Sequence, residues 1–108
     1  MTAEKGFRFA PPDWSPDSAR EAARAEHLTL REDHWDVVRA LQEFYARQTT
    51  APVSLRELQD ALEEKFHHKG GMKYLYTLFP GGPIAQGCRL AGLKAPTGAT
   101  DRGFGSVT

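Results

Sequence analysis

Pro80-Gly81-Gly82-Pro83 constrains this chain more than any other four residues. Two prolines around two glycines cannot continue a helix or a strand, so the chain must turn there. Apolar segments lie on both sides. Met72 to Phe79 reads as a short helix with Tyr74, Leu75, Leu78 and Phe79 buried. Pro83 suits a first helical position, so another helix is expected from there to about Ala91. Gly92 then serves as the residue past its end, free to adopt positive φ.

The same kind of punctuation divides the rest of the chain. Gly6-Phe7-Arg8-Phe9 alternates apolar and polar residues, as a short strand of a small N-terminal hairpin would, and Pro11-Pro12 stops it. Ser15-Pro16 reads as an N-cap and first residue of an Ala-rich helix running to about His27. Thr29-Leu30-Arg31-Glu32 fits a capping box for a second helix to about Gln48. Trp35, Val38, Leu41, Phe44 and Tyr45 share one face of it. Thr49, Thr50 and Pro52 break that helix. Ser54-Leu55-Arg56-Glu57 is a second capping box, opening a third helix with Leu55, Leu58, Leu62 and Phe66 in register. Gly70-Gly71 ends it. Leu93 to Thr108 holds Pro96, Gly98, Gly103 and Gly105 among small polar residues, so it reads as a mobile tail. The expected organisation is one helical domain over residues 1–92 and a flexible C-terminal tail over 93–108, with a mainly α fold of about five helices.

At 108 residues the chain suffices for one domain with its own core. A single cysteine excludes an internal disulfide framework and a multi-cysteine zinc site. It fits a reducing compartment. No apolar run approaches the roughly 20 residues of a membrane helix, and Met1 to Arg8 lacks a secretory signal's apolar stretch. A cytoplasmic protein without membrane partners is expected. The zero net charge hides an asymmetry. Residues 1–64 hold 8 Lys/Arg against 13 Asp/Glu, and residues 65–108 hold 6 against 1. Either the two halves pair within one fold, or the C-terminal half faces an acidic protein, a nucleic acid or a charged sulfur species.

Cys88 is the strongest nucleophile candidate. Arg89 and the surrounding stretch without acids favour a thiolate, whereas a lone cysteine also serves as a small buried hydrophobe. Gly87 permits a close backbone approach or a helix–helix contact. The histidines His27, His34, His67 and His68 show no zinc spacing with Cys88, so neither a metal nor a cofactor is expected. Glu32, Asp33 and Asp36 complement a helix dipole. Ser54 to Phe79 also reads as a helix-turn-helix, with Lys73 and Tyr76 facing nucleic acid, although Met72, Leu75 and Leu78 look like core.

The stretch from Lys73 through Tyr74-Leu75-Tyr76-Thr77-Leu78-Phe79 to Pro83 resembles the signature of the DsrC/TusE sulfur-relay family. Gly87-Cys88-Arg89-Leu90-Ala91-Gly92-Leu93 and Pro96-Thr97-Gly98 extend the likeness. Gly6-Phe7, Asp13-Trp14, His34-Trp35 and Phe44-Tyr45 add to it upstream, so it covers nearly the whole chain to Gly98. The resemblance implies a small orthogonal helical bundle with an N-terminal β-hairpin and a flexible C-terminal arm. It also implies a sulfur carrier that holds a persulfide on an arm cysteine and inserts the arm into partner proteins. DsrC partners dissimilatory sulfite reductase, and TusE passes sulfur toward thiolation of transfer RNA.

One departure bears on that chemistry. The family arm ends in Pro-Thr-Gly-Cys and one further residue, whereas this chain has Ala99 at the cysteine position and continues to Thr108. Cys88 matches the upstream cysteine, which in DsrC is the disulfide partner. Alanine cannot hold a persulfide, and a single thiol cannot close an intramolecular disulfide. The resemblance therefore implies a binding or regulatory protein, or a carrier using Cys88 alone, docking on sulfur-transfer proteins or a sulfite reductase-like complex. Lys73, Arg89 and Lys94 are the candidate partner-binding residues. Whether to count such a chain among enzymes stays open at this point, and a nucleic-acid-binding regulator is the alternative.

Overall fold

The computed structural model describes residues 7–48, 53–96 and 98–99. Among the described residues the fold has five α-helices: α1 (Pro16–Ala25), α2 (Glu32–Arg47), α3 (Leu55–Lys65), α4 (Gly71–Leu78) and α5 (Pro83–Ala91). A single 3₁₀ turn, His67–Lys69, joins α3 to α4. No strand occurs among the described residues. Phe7, Arg8 and Phe9, expected in a hairpin strand, form a turn closed by the Ala10 N–H on the Phe7 carbonyl at 3.3 Å. Tertiary packing overrides the local alternation there. The Phe7 ring lies against Trp14 and Trp35, at centroid distances of 4.9 and 5.6 Å. Gly6, the Thr49–Pro52 break, Thr97 and the tail from Thr100 lie outside the described residues.

Local signals account for most helix ends. Ser15 caps α1, its Oγ accepting from the Ser18 N–H at 3.1 Å, and Pro16 follows as the first helical residue. Ser54 Oγ accepts from the Glu57 N–H at 3.2 Å and opens α3. Two ends differ from expectation. The cap of α2 is not Thr29. The helix starts at Glu32, and His34 Nδ1 accepts from the Arg31 N–H at 3.0 Å. Helix α1 stops at Ala25 rather than His27. His27 takes the left-handed conformation (φ 58°), and the Leu28 N–H returns to the Ala23 carbonyl at 2.8 Å. That is a Schellman ending with histidine where glycine is usual.

Helix α5 is the centre of the molecule. It packs against α1 on one side and α2 on another, while α3 and α4 pack on each other and α4 reaches α5. Eight of its nine residues are buried, with Arg89 the exception. Val37, Leu41, Leu58, Leu62, Leu75, Leu78, Phe79 and Leu90 fill the core around it. Gly87 is a helix–helix contact: a Cβ there would meet Leu41 Cδ1 of α2 at 2.8 Å. A buried polar side chain holds the turn before α5. Gln86 Oε1 accepts from the Gly81 N–H at 2.9 Å, and its amide donates to Glu26 at 2.9 Å. Burying Gln86 costs little because both ends of its amide are bonded. Part of the charge asymmetry resolves as pairing between the halves. Arg89 grips Glu26 at 2.6 and 2.8 Å, and Lys69 meets Asp33 at 3.2 Å.

Candidate functional site

The candidate site runs from Cys88 on α5 to Ala99 at the end of the described arm. Cys88 is fully buried in the core cluster. Burial pushes its thiol up to about 11, and neither the Tyr45 hydroxyl, 3.7 Å from Sγ, nor nearby Arg89 offsets that. The sequence sets Arg89 beside Cys88, where a free cation favours a thiolate. In the structure the Arg89 guanidinium is committed to Glu26, and its hydrogen bond holds that carboxyl below the usual range. Desolvation of a charge inside the core outweighs a cation so occupied.

The arm leaves α5 through Gly92, whose left-handed conformation (φ 77°) lets the Leu93 N–H return to the Cys88 carbonyl at 2.9 Å. A Cβ on Gly92 would sit 2.9 Å from Trp14 Cδ1, so glycine is required for both backbone and space. The residues beyond lie against the domain. Pro96 is buried, and Leu93, Ala95 and Ala99 pack on the core. The Ala99 N–H bonds the Pro96 carbonyl at 3.1 Å, folding the arm back at Gly98. Ala99 there lines a cleft of about 70 Å³ with Leu55, Met72, Tyr76 and Ile84. Its methyl occupies the place where the resemblance puts a nucleophile.

The three candidate cations sit on three different elements. Lys73 is exposed on α4, Arg89 is paired on α5, and Lys94 is exposed on the arm. Helix α4 is eight residues long and buries Leu75 and Leu78, leaving little of it to enter a groove as a recognition helix. No cluster of His, Cys, Asp and Glu suited to a metal occurs among the described residues. No helix among them is long and apolar enough to cross a membrane.

Sequence reading missed the polar side chains that frame the arm. The sequence marks Tyr45 as an apolar position of α2 and as part of the family likeness, yet its hydroxyl donates to the Lys94 carbonyl at 2.6 Å. Trp14 Nε1–H donates to the Leu90 carbonyl at 2.7 Å, and Gln42 Nε2–H to that of Ala91 at 3.0 Å. The available signal was that buried Tyr and Trp heads require partners. Nothing local identifies which partners. His34 is a further buried tie: its Nε2 bonds the Leu78 carbonyl at 2.8 Å, which joins α2 to the end of α4. With Nδ1 accepting from Arg31, that bond fits the neutral tautomer, and burial lowers the ring's pKa below its usual value.

Known proteins share this architecture and sequence. The family model described as "DsrC like protein" matches residues 1–100. Sulfurtransferase TusE of Photorhabdus laumondii is 40% identical over 96 residues, spanning 88% of this chain and 86% of the relative. Sulfurtransferase TusE of Yersinia pestis is 41% identical over 96 residues, spanning 88% and 87%. The NMR structure of Allochromatium vinosum DsrC superimposes with a TM-score of 0.66 at 45% identity, covering 82% of this chain and 79% of that one. The family match runs through α5 and the start of the arm. The chain belongs to the DsrC-like family of sulfur-relay proteins.

Proposed function

We propose that this protein acts in sulfur relay by docking on partner proteins and modulating them, without itself carrying sulfur. One observation supports this above others: the one thiol of the chain is sealed in the core. A thiol raised to about 11 is ionised in roughly one molecule in ten thousand at neutral pH, and the thiolate is the nucleophile. The arm position that carries the nucleophile in the family's motif holds a methyl group instead. The fold and the arm remain suited to recognition. The partners in this reading are sulfur-transfer proteins or a sulfite reductase-like complex in the cytoplasm. Lys73 on α4 and Lys94 on the arm are exposed, and in this reading they and the Arg89 region are contacts for an acidic partner. No cofactor or metal enters the reading, and the protein is not an enzyme in the usual sense. The helix-turn-helix alternative draws no support from the relatives.

Intact-protein mass spectrometry after anaerobic incubation with a persulfide donor tests the proposal. The wild type is expected to keep its mass, as Cys88→Ala does. A gain of one sulfur in the wild type that disappears in Cys88→Ala would instead make the protein a single-cysteine carrier.

A further inference from the structure

The last carbonyls of a helix have no partner within it and must find one elsewhere. At the end of α5 the partners are side chains far away in sequence. Trp14 takes the Leu90 carbonyl and Gln42 takes that of Ala91. These two complete the helix. The third bond, from the Tyr45 hydroxyl to the Lys94 carbonyl, lies two residues beyond Gly92 and caps no helix. It fastens the arm itself. Tyr45 and Gln42 lie three residues apart on α2, so one face of that helix holds both the end of α5 and the start of the arm. The Cys88 thiol reaches the same phenol oxygen at 3.7 Å and can donate to it, which leaves the phenol proton for Lys94. Burial also keeps the phenol protonated, well above its ordinary range.

We propose that Tyr45 is a positioning residue for the C-terminal arm: its hydrogen bond to the Lys94 carbonyl pins the first arm residues to α2 and sets the pivot at Ala95 rather than at Gly92. The proposal rests on the reading that the arm is presented to partners. The shift in pivot changes what the arm can reach. A chain spans at most about 3.5 Å per residue, so position 99 sweeps roughly 14 Å from a pivot at Ala95 and roughly 24 Å from one at Gly92. Tyr45 therefore narrows the space searched by the arm's end. It also holds position 99 near the cleft bordered by Leu55, Met72 and Tyr76.

Thiol labelling reads the arm directly and needs no partner. Ala99→Cys places a reporter at the arm's end, and peptide mass spectrometry separates its alkylation by iodoacetamide from that of Cys88. Adding Tyr45→Phe, which keeps the ring and removes the donor, is expected to speed alkylation at position 99 about fivefold, the population change for one neutral hydrogen bond. Adding Leu30→Ala instead, in the α1–α2 connection, lowers stability without touching the arm and is expected to leave that rate unchanged. An unchanged rate with Tyr45→Phe would overturn the proposal. So would an equal acceleration with Leu30→Ala, or alkylation of Ala99→Cys alone at the rate of the denatured chain. None of these outcomes bears on whether the wild type takes up sulfur, so the docking reading stands or falls separately.

Discussion

Helix α5 and the arm that continues from it belong to one stretch of family-like sequence, yet they sit in opposite environments. From Pro83 to Ala91 every residue but Arg89 is buried, and Cys88 is packed among them as a hydrophobe. Among the described residues from Leu93 to Ala99, Pro96 is buried and the others are half-buried or exposed, with the Ala99–Pro96 turn and the Tyr45 hydroxyl among their ties. A reactive sulfur needs a place as well as a thiol. The chain keeps its thiol where desolvation suppresses ionisation. At position 99, only half-buried on the arm, it has a methyl group.

Truncating the two regions sharpens the contrast. Leu90 is fully buried, so Leu90→Ala is expected to cost about 3 kcal/mol of unfolding free energy in a urea titration. Leu93 is only partly buried, and Leu93→Ala is expected to cost about 1 kcal/mol. Equal losses would mean that the arm is as much a part of the core as α5. Gly92 marks the boundary between them. Gly92→Ala forces a side chain into left-handed backbone and against Trp14, and about 2 kcal/mol of destabilisation is expected by the same titration. A neutral effect would mean that the arm leaves α5 by another path.

A smaller effect lies in the alkaline limb of stability. The folded thiol of Cys88 is raised from 9.0 to about 11. Its contribution is therefore fully present below pH 9 and is lost as pH rises toward about 11, because the unfolded chain releases that proton first. Wild type and Cys88→Ala should accordingly diverge between those values, with the wild type falling more steeply. Parallel curves would indicate a thiol that already ionises in the folded state.

Much of this architecture was legible because breakers and caps are local. Pro16, Ser54 and Pro83 open helices where the sequence placed them, and Gly92 closes α5 with positive φ. The shift at α2 arose because Thr29 supplied a plausible cap, while His34, one turn into the helix, reaches back to bond Arg31. The turn at Phe7 was hidden because its cause is non-local contact with Trp14 and Trp35. For the same reason the site was only half legible. Cys88 and Ala99 stand out in the sequence, but whether a thiol is exposed depends on packing. Residue patterns do not say which backbone carbonyls Trp14, Gln42 and Tyr45 bond.

Moving the nucleophile tests the account most directly. The double variant Cys88→Ala with Ala99→Cys is incubated anaerobically with a persulfide donor beside the wild type, and both are weighed intact. The double variant is predicted to gain one sulfur on the arm while the wild type gains none. Sulfur uptake by the wild type equal to that of the double variant would contradict the account, because a sealed Cys88 would then carry sulfur as readily as a half-buried arm thiol.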